Sequence, residues 1–174
     1  MNKVLKTKIY NILKEKNLTL YSLEKNLSYS NGTLYKMIEG ERPFPENIKK
    51  KLLPVLEVSK QEFESWIITD KYNKEIIEKA INAFKNREDK KNPVLTQNID
   101  KILKEKNLSR TALSKIIKHS QSGLNCAITG KEPLSKNVMK KLSTALEISE
   151  KDLQAWVLAD KYSLNILELA LKVD

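Results

Sequence analysis

One cysteine, Cys126, and one histidine, His119, occur in the 174 residues. A lone thiol excludes an internal disulfide and a cysteine-built zinc site. A lone imidazole removes paired-histidine metal motifs and leaves little from which a catalytic triad could be assembled. Glycine and proline number four and five, too few for a turn-rich all-β fold. No apolar run approaches the ~20 residues that span a bilayer. The opening MNKVLKTKIYNILKEKN carries lysines throughout and no apolar block, so neither a signal peptide nor a membrane partner is expected. A cytoplasmic, nucleoid-associated location is the expectation. With no nucleophile–base pair and no phosphate-cradling glycine loop, the chain reads as no enzyme, with no metal and no cofactor.

What is present is charge and aliphatic bulk. Lys and Arg total 32 against 22 Asp and Glu, giving a net charge of +10 and a pI near 9.5. Such a balance points to an acidic partner, nucleic acid above all. Solvated lysine faces also occur in proteins that bind nothing acidic, so charge alone does not decide. At 40% hydrophobic residues there is material for a core, and the dominance of Leu, Ile, Lys and Glu predicts an all-α fold.

The sequence repeats itself. NILKEKNL at Asn11–Leu18 returns as KILKEKNL at Lys101–Leu108. The alignment runs without a gap from Val4/Val94 to the C-terminus, with roughly thirty of about eighty positions identical. Two domain-sized copies imply tandem globular units, over residues 1–86 and 94–174. The charged, apolar-free segment 87–93 is read as the linker.

Each copy reads as about five helices plus an extra C-terminal one. Leu5, Ile9 and Leu13, or Ile99, Ile102 and Leu103, recur at helical spacing. Thr19 and Ser109 are placed to cap a short second helix ending at Asn26 or Ile116, and Ser30 and Ser120 to cap a third. Gly40 and Gly130 suit a left-handed helix exit. Pro45 or Ser135 begins the fourth helix. Ser59 with Glu62, and Ser149 with Asp152, have the spacing of capping boxes. The recurring Trp66-Asp70-Lys71-Tyr72 and Trp156-Asp160-Lys161-Tyr162 sets read as an aromatic-packed helix end with charges at its rim.

Two short helices joined by a tight turn form a helix-turn-helix arrangement. LTLYSLEKNLSYSNGTLYKMIEGERPFP resembles the phage repressor and Cro-type (lambda repressor-like, XRE) domain. LSRTALSKIIKHSQSGLNCAITGKEPLS is similar to it with a weaker match. The family's Ala and Gly in and after the second helix are replaced by Glu24 and Ser28, or Ser114 and Lys118, which predicts an altered turn. The resemblance implies that the third helix enters the major groove. Its base-facing positions are then Asn31, Gly32, Tyr35 and Lys36, together with Leu20. Gln121, Ser122, Asn125, Cys126 and Arg110 match them in the second copy. Asn and Gln suit adenine, and Lys and Arg suit guanine. Phosphate contacts are implied for Thr19, Arg42 and Asn47, and for Ser109, Lys131 and Asn137. Capping and ordinary surface polarity explain many of the same residue types, and Lys49, Lys50 and Lys51 read as a solvated helix face. Cys126 reads equally as a small space-filler, and His119 as a turn residue.

The expected function is a sequence-specific double-stranded DNA-binding regulator, a repressor of prokaryotic or phage type. One chain would supply both heads as a pseudo-dimer on two half-sites, and homodimerisation would double them. Two alternatives stand beside it: a protein-interaction module that inhibits a nucleic-acid enzyme, and a non-specific nucleic-acid binder.

Overall fold

A computed structural model describes residues 3–173, and among them every regular element is an α-helix. There are twelve: α1 (Val4–Glu15), α2 (Leu20–Asn26), α3 (Thr33–Ile38), α4 (Glu46–Leu56), α5 (Lys60–Lys71), α6 (Lys74–Lys85), α7 (Val94–Glu105), α8 (Arg110–Ile116), α9 (Gln121–Ile128), α10 (Lys136–Leu146), α11 (Glu150–Lys161) and α12 (Leu164–Leu171). The chain divides into two compact units. The first comprises residues 1–73 with 169–174, and the second residues 74–168.

This partition differs from the expected cut after residue 86. Helix α6 buries Ile76, Ile77, Ala80 and Ile81 within the second unit. There it ties to α11, through Lys79 to Asp152 at 2.7 Å and through the Lys151–Glu75 pair. In the first unit, Val173 packs against the core, and Thr69 Oγ1 donates to the carbonyl of Ala170 at 3.0 Å. An amphipathic helix goes where its apolar face is covered, whatever its place in the sequence.

The first core gathers Leu5, Ile9, Leu13, Leu23, Leu34, Ile38, Leu52 and Phe63. The second gathers Ile99, Leu103, Leu113, Leu124, Ile128, Leu142 and Leu153. Left-handed backbone at non-glycine residues recurs in step: Asn17, Ser28 and Glu57, then Asn107, Lys118 and Glu147. Ser28 and Lys118 therefore keep the turn left-handed without glycine, at a cost of about 1 kcal/mol each.

Several caps fall where the sequence places them. Thr19 and Ser22 form a reciprocal capping box, and Ser59, Ser109, Ser120, Ser135 and Ser149 each accept an N–H of the following turn. The aspartates of the repeated Trp-Asp-Lys-Tyr sets do more than rim a helix. Asp70 accepts the Val4 and Leu5 N–H groups at 2.6 and 3.2 Å. Asp160 accepts those of Val94 and Leu95 at 2.6 and 3.0 Å. Each carboxylate caps the first helix of its repeat from the end of the fifth. Burial pushes both carboxyls up, against the lowering effect of the two N–H donors. Asp70→Ala or Asp160→Ala strands two helix-start donors. Each should cost about 1–3 kcal/mol, read as a lower urea midpoint with an unchanged m-value.

Candidate nucleic-acid interface

The α2–α3 and α8–α9 segments bury the same apolar positions, Leu23, Leu34 and Ile38 or Leu113, Leu124 and Ile128, and differ in how the second helix of each pair begins. In the second unit, α8 ends at Ile116, and Lys118 N–H returns to the Lys115 carbonyl at 3.1 Å. Ser120 then caps α9, its Oγ accepting Gly123 N–H at 3.2 Å. A Cβ on Gly123 would lie 2.9 Å from that oxygen and 3.2 Å from His119 Cε1, so the cap requires glycine there.

The first unit does not repeat this. Ser30 is the cap that the sequence predicts, but its hydroxyl pairs with Thr33 Oγ1 at 2.8 Å instead. Helix α3 starts at Thr33, behind a left-handed Gly32 with φ of 81°. Its cap is Glu24, 2% exposed, reaching from α2. The carboxylate accepts Gly32 N–H at 2.9 Å and Leu34 N–H at 2.6 Å. Capping α3 accounts for a glutamate at the position where the family resemblance implies Ala. Because Gly32 lies outside the helix, the helical penalty for glycine does not apply.

The candidate base-facing positions separate accordingly. Asn31 is exposed but sits in the turn before α3, not on the helix. Gly32 is the left-handed cap. Tyr35, at 45% exposure, and Lys36 stand outward, while Leu20 is half-buried against the core. In the second unit Gln121 and Ser122 are exposed in the first turn of α9. Asn125 and Cys126 are half-buried. Asn125 Oδ1 is buried with no hydrogen-bond partner among the described residues, so turning that oxygen outward forfeits no bond. Arg110 is held by Asp100 in a two-point contact, at 2.8 Å to Nε and 2.6 Å to an Nη. The hydrogen bonds to Asp100 push the guanidinium's pKa up and fix its direction.

Among the candidate phosphate-facing residues, Thr19, Arg42, Asn47, Ser109, Lys131 and Asn137 are all exposed. Thr19 and Ser109 spend an oxygen lone pair on their caps and keep a hydroxyl proton to donate. The lysine run needs one correction. Lys50 and Lys51 are exposed, but Lys49 is buried and paired with Glu64. Its partner lies a helix away, out of reach of any local pattern.

Charge sets the two faces apart. From Ser109 to Lys141 the basic residues are Arg110, Lys115, Lys118, Lys131, Lys136, Lys140 and Lys141, and the sole acid is Glu132. From Thr19 to Lys51, Lys25, Lys36, Arg42, Lys49, Lys50 and Lys51 are offset by Glu24, Glu39, Glu41 and Glu46. These four glutamates occupy the places of Ser114, Thr129, Lys131 and Lys136 in the repeat. The segment from Thr19 to Lys51 therefore carries less net positive charge than the segment from Ser109 to Lys141.

The exit of the third helix is anchored differently too. Lys3 and Lys6 both pair with Glu39, Lys6 at 2.7 Å. At the matching place in the second unit, Thr96 Oγ1 donates to the Ile128 carbonyl at 2.9 Å. Hydrogen bonds from Lys3 and Lys6 hold the Glu39 carboxyl below the usual range. Its folded value lies under its unfolded one, so its contribution is complete above the ordinary carboxylate range and is lost as pH falls through the folded value. Amide exchange in α3, corrected for intrinsic rates, should therefore rise relative to α9 between about pH 6 and about pH 3. Parallel behaviour of the two helices would contradict this.

Comparison with known proteins bears on the second unit. No curated protein and no solved structure matches the chain. A matched segment runs from within α7 to the end region of α11, on the copy whose motif departs further from the family pattern. No helix among the described residues is long and apolar enough to cross a membrane. Over residues 98–159 the chain matches the family of the Cro/C1-type helix-turn-helix DNA-binding domain.

Proposed function

We propose that the chain is a sequence-specific double-stranded DNA-binding transcription regulator of the repressor kind, with two helix-turn-helix heads in tandem. The reading rests chiefly on the basic face from Ser109 to Lys141, which lies inside the segment matched to a DNA-binding domain. Gln121 and Asn125 on α9 offer amide edges for adenine, and Lys131 and Asn137 take flanking phosphates. In the first unit Asn31, Tyr35 and Lys36 serve a second half-site. Their head is the weaker one, because Glu24 takes the helix-start N–H groups and Glu41 and Glu46 flank the exit loop.

One chain thus forms an unequal pseudo-dimer. Its half-sites differ in sequence, and in relatives that pair as dimers such half-sites lie about one helical turn, ~34 Å, apart. Hydroxyl-radical footprinting at one chain per duplex tests this arrangement. A strong and a weak protected patch one turn apart are expected. A single patch would restrict DNA binding to one head and favour a protein partner for the other, where Tyr21 and Tyr35 stand exposed.

A further inference from the structure

The segment 87–93, read from the sequence as the linker, is a built loop. Gln97 Oε1 accepts the N–H groups of Glu88 and Asp89 at 3.0 and 3.1 Å. Its Nε2 donates to the carbonyls of Asp89 and Asn92, the latter at 2.7 Å. The Asp89 carboxylate folds inward, accepting Lys91 N–H at 2.8 Å and Asn92 Nδ2 at 2.7 Å. The Asp89 carboxylate is therefore consumed internally, while Glu88, Lys90 and Lys91 are exposed.

This loop walls an open groove of about 790 Å³ in the second unit. Arg87, Lys90, Lys91, Lys131 and Lys161 line it, with Leu95, Ala127 and Val157 among its apolar residues. The two acids at the groove are Asp160, already committed to capping α7, and Glu132. Arg87 lies over the Phe84 ring with its guanidinium 4.2 Å from the centroid, which limits its rotamers. The loop after α9 lines it as well, and there the Lys131 and Glu132 N–H groups bond back to the Cys126 carbonyl at 2.9 and 3.2 Å.

The geometry points to a phosphate-binding groove that takes the DNA backbone beyond the reach of the reading helix, with Arg87, Lys90 and Lys91 as its contacts. This inference rests on the DNA-binding reading above, since Lys131 joins the groove to that face. It adds an element outside the family-matched residues 98–159. Cations on a pinned loop surrender less entropy on binding than cations on a free tether. The groove carries no base specificity, because backbone phosphates are alike in every sequence.

The test uses the full chain and a duplex selected from a random pool. Affinity is measured between about 50 and 200 mM salt for the parent, the R87Q/K90Q/K91Q variant and Gln97→Ala. The triple variant should flatten the log–log salt slope by about 2 to 3 and weaken binding about ten- to a hundredfold, with base preference unchanged. Gln97→Ala removes no charge but unpins the loop, so it should move the slope in the same direction by less. A parent that binds duplex with a slope the triple variant does not alter overturns the inference alone. A parent that binds no duplex overturns the functional reading and the inference together. Titration with inorganic pyrophosphate separates the sources. Tight pyrophosphate binding lost in the triple variant, with the DNA slope unchanged, would assign the groove to a small anion and overturn the inference.

Discussion

Glu64→Gln should destabilise the first unit by about 3–5 kcal/mol. Glu64 is 5% exposed and Lys49 is 9% exposed, and the two form an ion pair between α5 and α4. Glu46 adds a second carboxylate oxygen to Lys49 at 3.2 Å and takes Lys60 at 2.8 Å on its outer side. Removing Glu64's charge leaves the Lys49 ammonium desolvated, with only the exposed Glu46 beside it. The repeat supplies the control, because Met139 and Gln154 stand in the second unit where Lys49 and Glu64 stand in the first. Lys49→Met together with Glu64→Gln should recover stability to within about 1 kcal/mol of the parent or exceed it, since a buried pair seldom outperforms a well-packed apolar replacement. Urea unfolding followed by tryptophan fluorescence reads both, as Trp66 lies in this core. A double variant as unstable as the single one would show that Met is not accommodated there.

The second large effect separates the two heads. Gln121→Ala with Asn125→Ala should weaken binding to the selected duplex by about 2–6 kcal/mol, roughly thirtyfold to more than ten-thousandfold, the range for two amide–adenine contacts. Asn31→Ala with Lys36→Ala should cost under about 1 kcal/mol, because under the proposed function the first head would meet phosphate against its own glutamates. Glu24→Gln should tighten binding a few-fold. Its amide oxygen still accepts one helix-start N–H, while the negative charge behind α3 is gone. Fluorescence anisotropy at one fixed salt concentration measures all three. Equal losses from the two pairs of substitutions would make the heads equivalent and remove Glu24 from the explanation.

Much of the fold is legible in the residues. Apolar spacing locates the six helices of each copy, and hydroxyls at helix starts mark the caps at Thr19, Ser59, Ser109, Ser120 and Ser149. These signals are local: a hydroxyl and the N–H it serves lie within one turn. What escapes is tertiary. Glu24 caps a helix that begins at Thr33, so the nearer Ser30 has the look of the cap. Lys49 sits in a lysine run that reads as solvated, and only the fold brings Glu64 to it. Asp70 and Asp160 cap helices some sixty-five residues upstream, a pairing that no periodicity signals. Helix α6 lies outside the unit its sequence position suggests for the same reason. Its apolar stripe declares that it must be covered, not by what.

The difference between the two repeats also gains a physical form. The shared leucines and isoleucines hold the third helix on an equivalent core in each unit. The polar residues that differ decide whether the helix start faces a carboxylate from behind or stands capped by a neutral serine. Under the proposed function, that choice governs how strongly each head holds an anionic partner.

The most direct measurement is selection of duplexes from a random pool by the full chain, followed by binding to the winner and to a scrambled version at the same salt. A defined motif, bound about a thousandfold more tightly than the scrambled duplex, is the predicted result. Enrichment of no motif, with both duplexes bound alike or not at all, would contradict it.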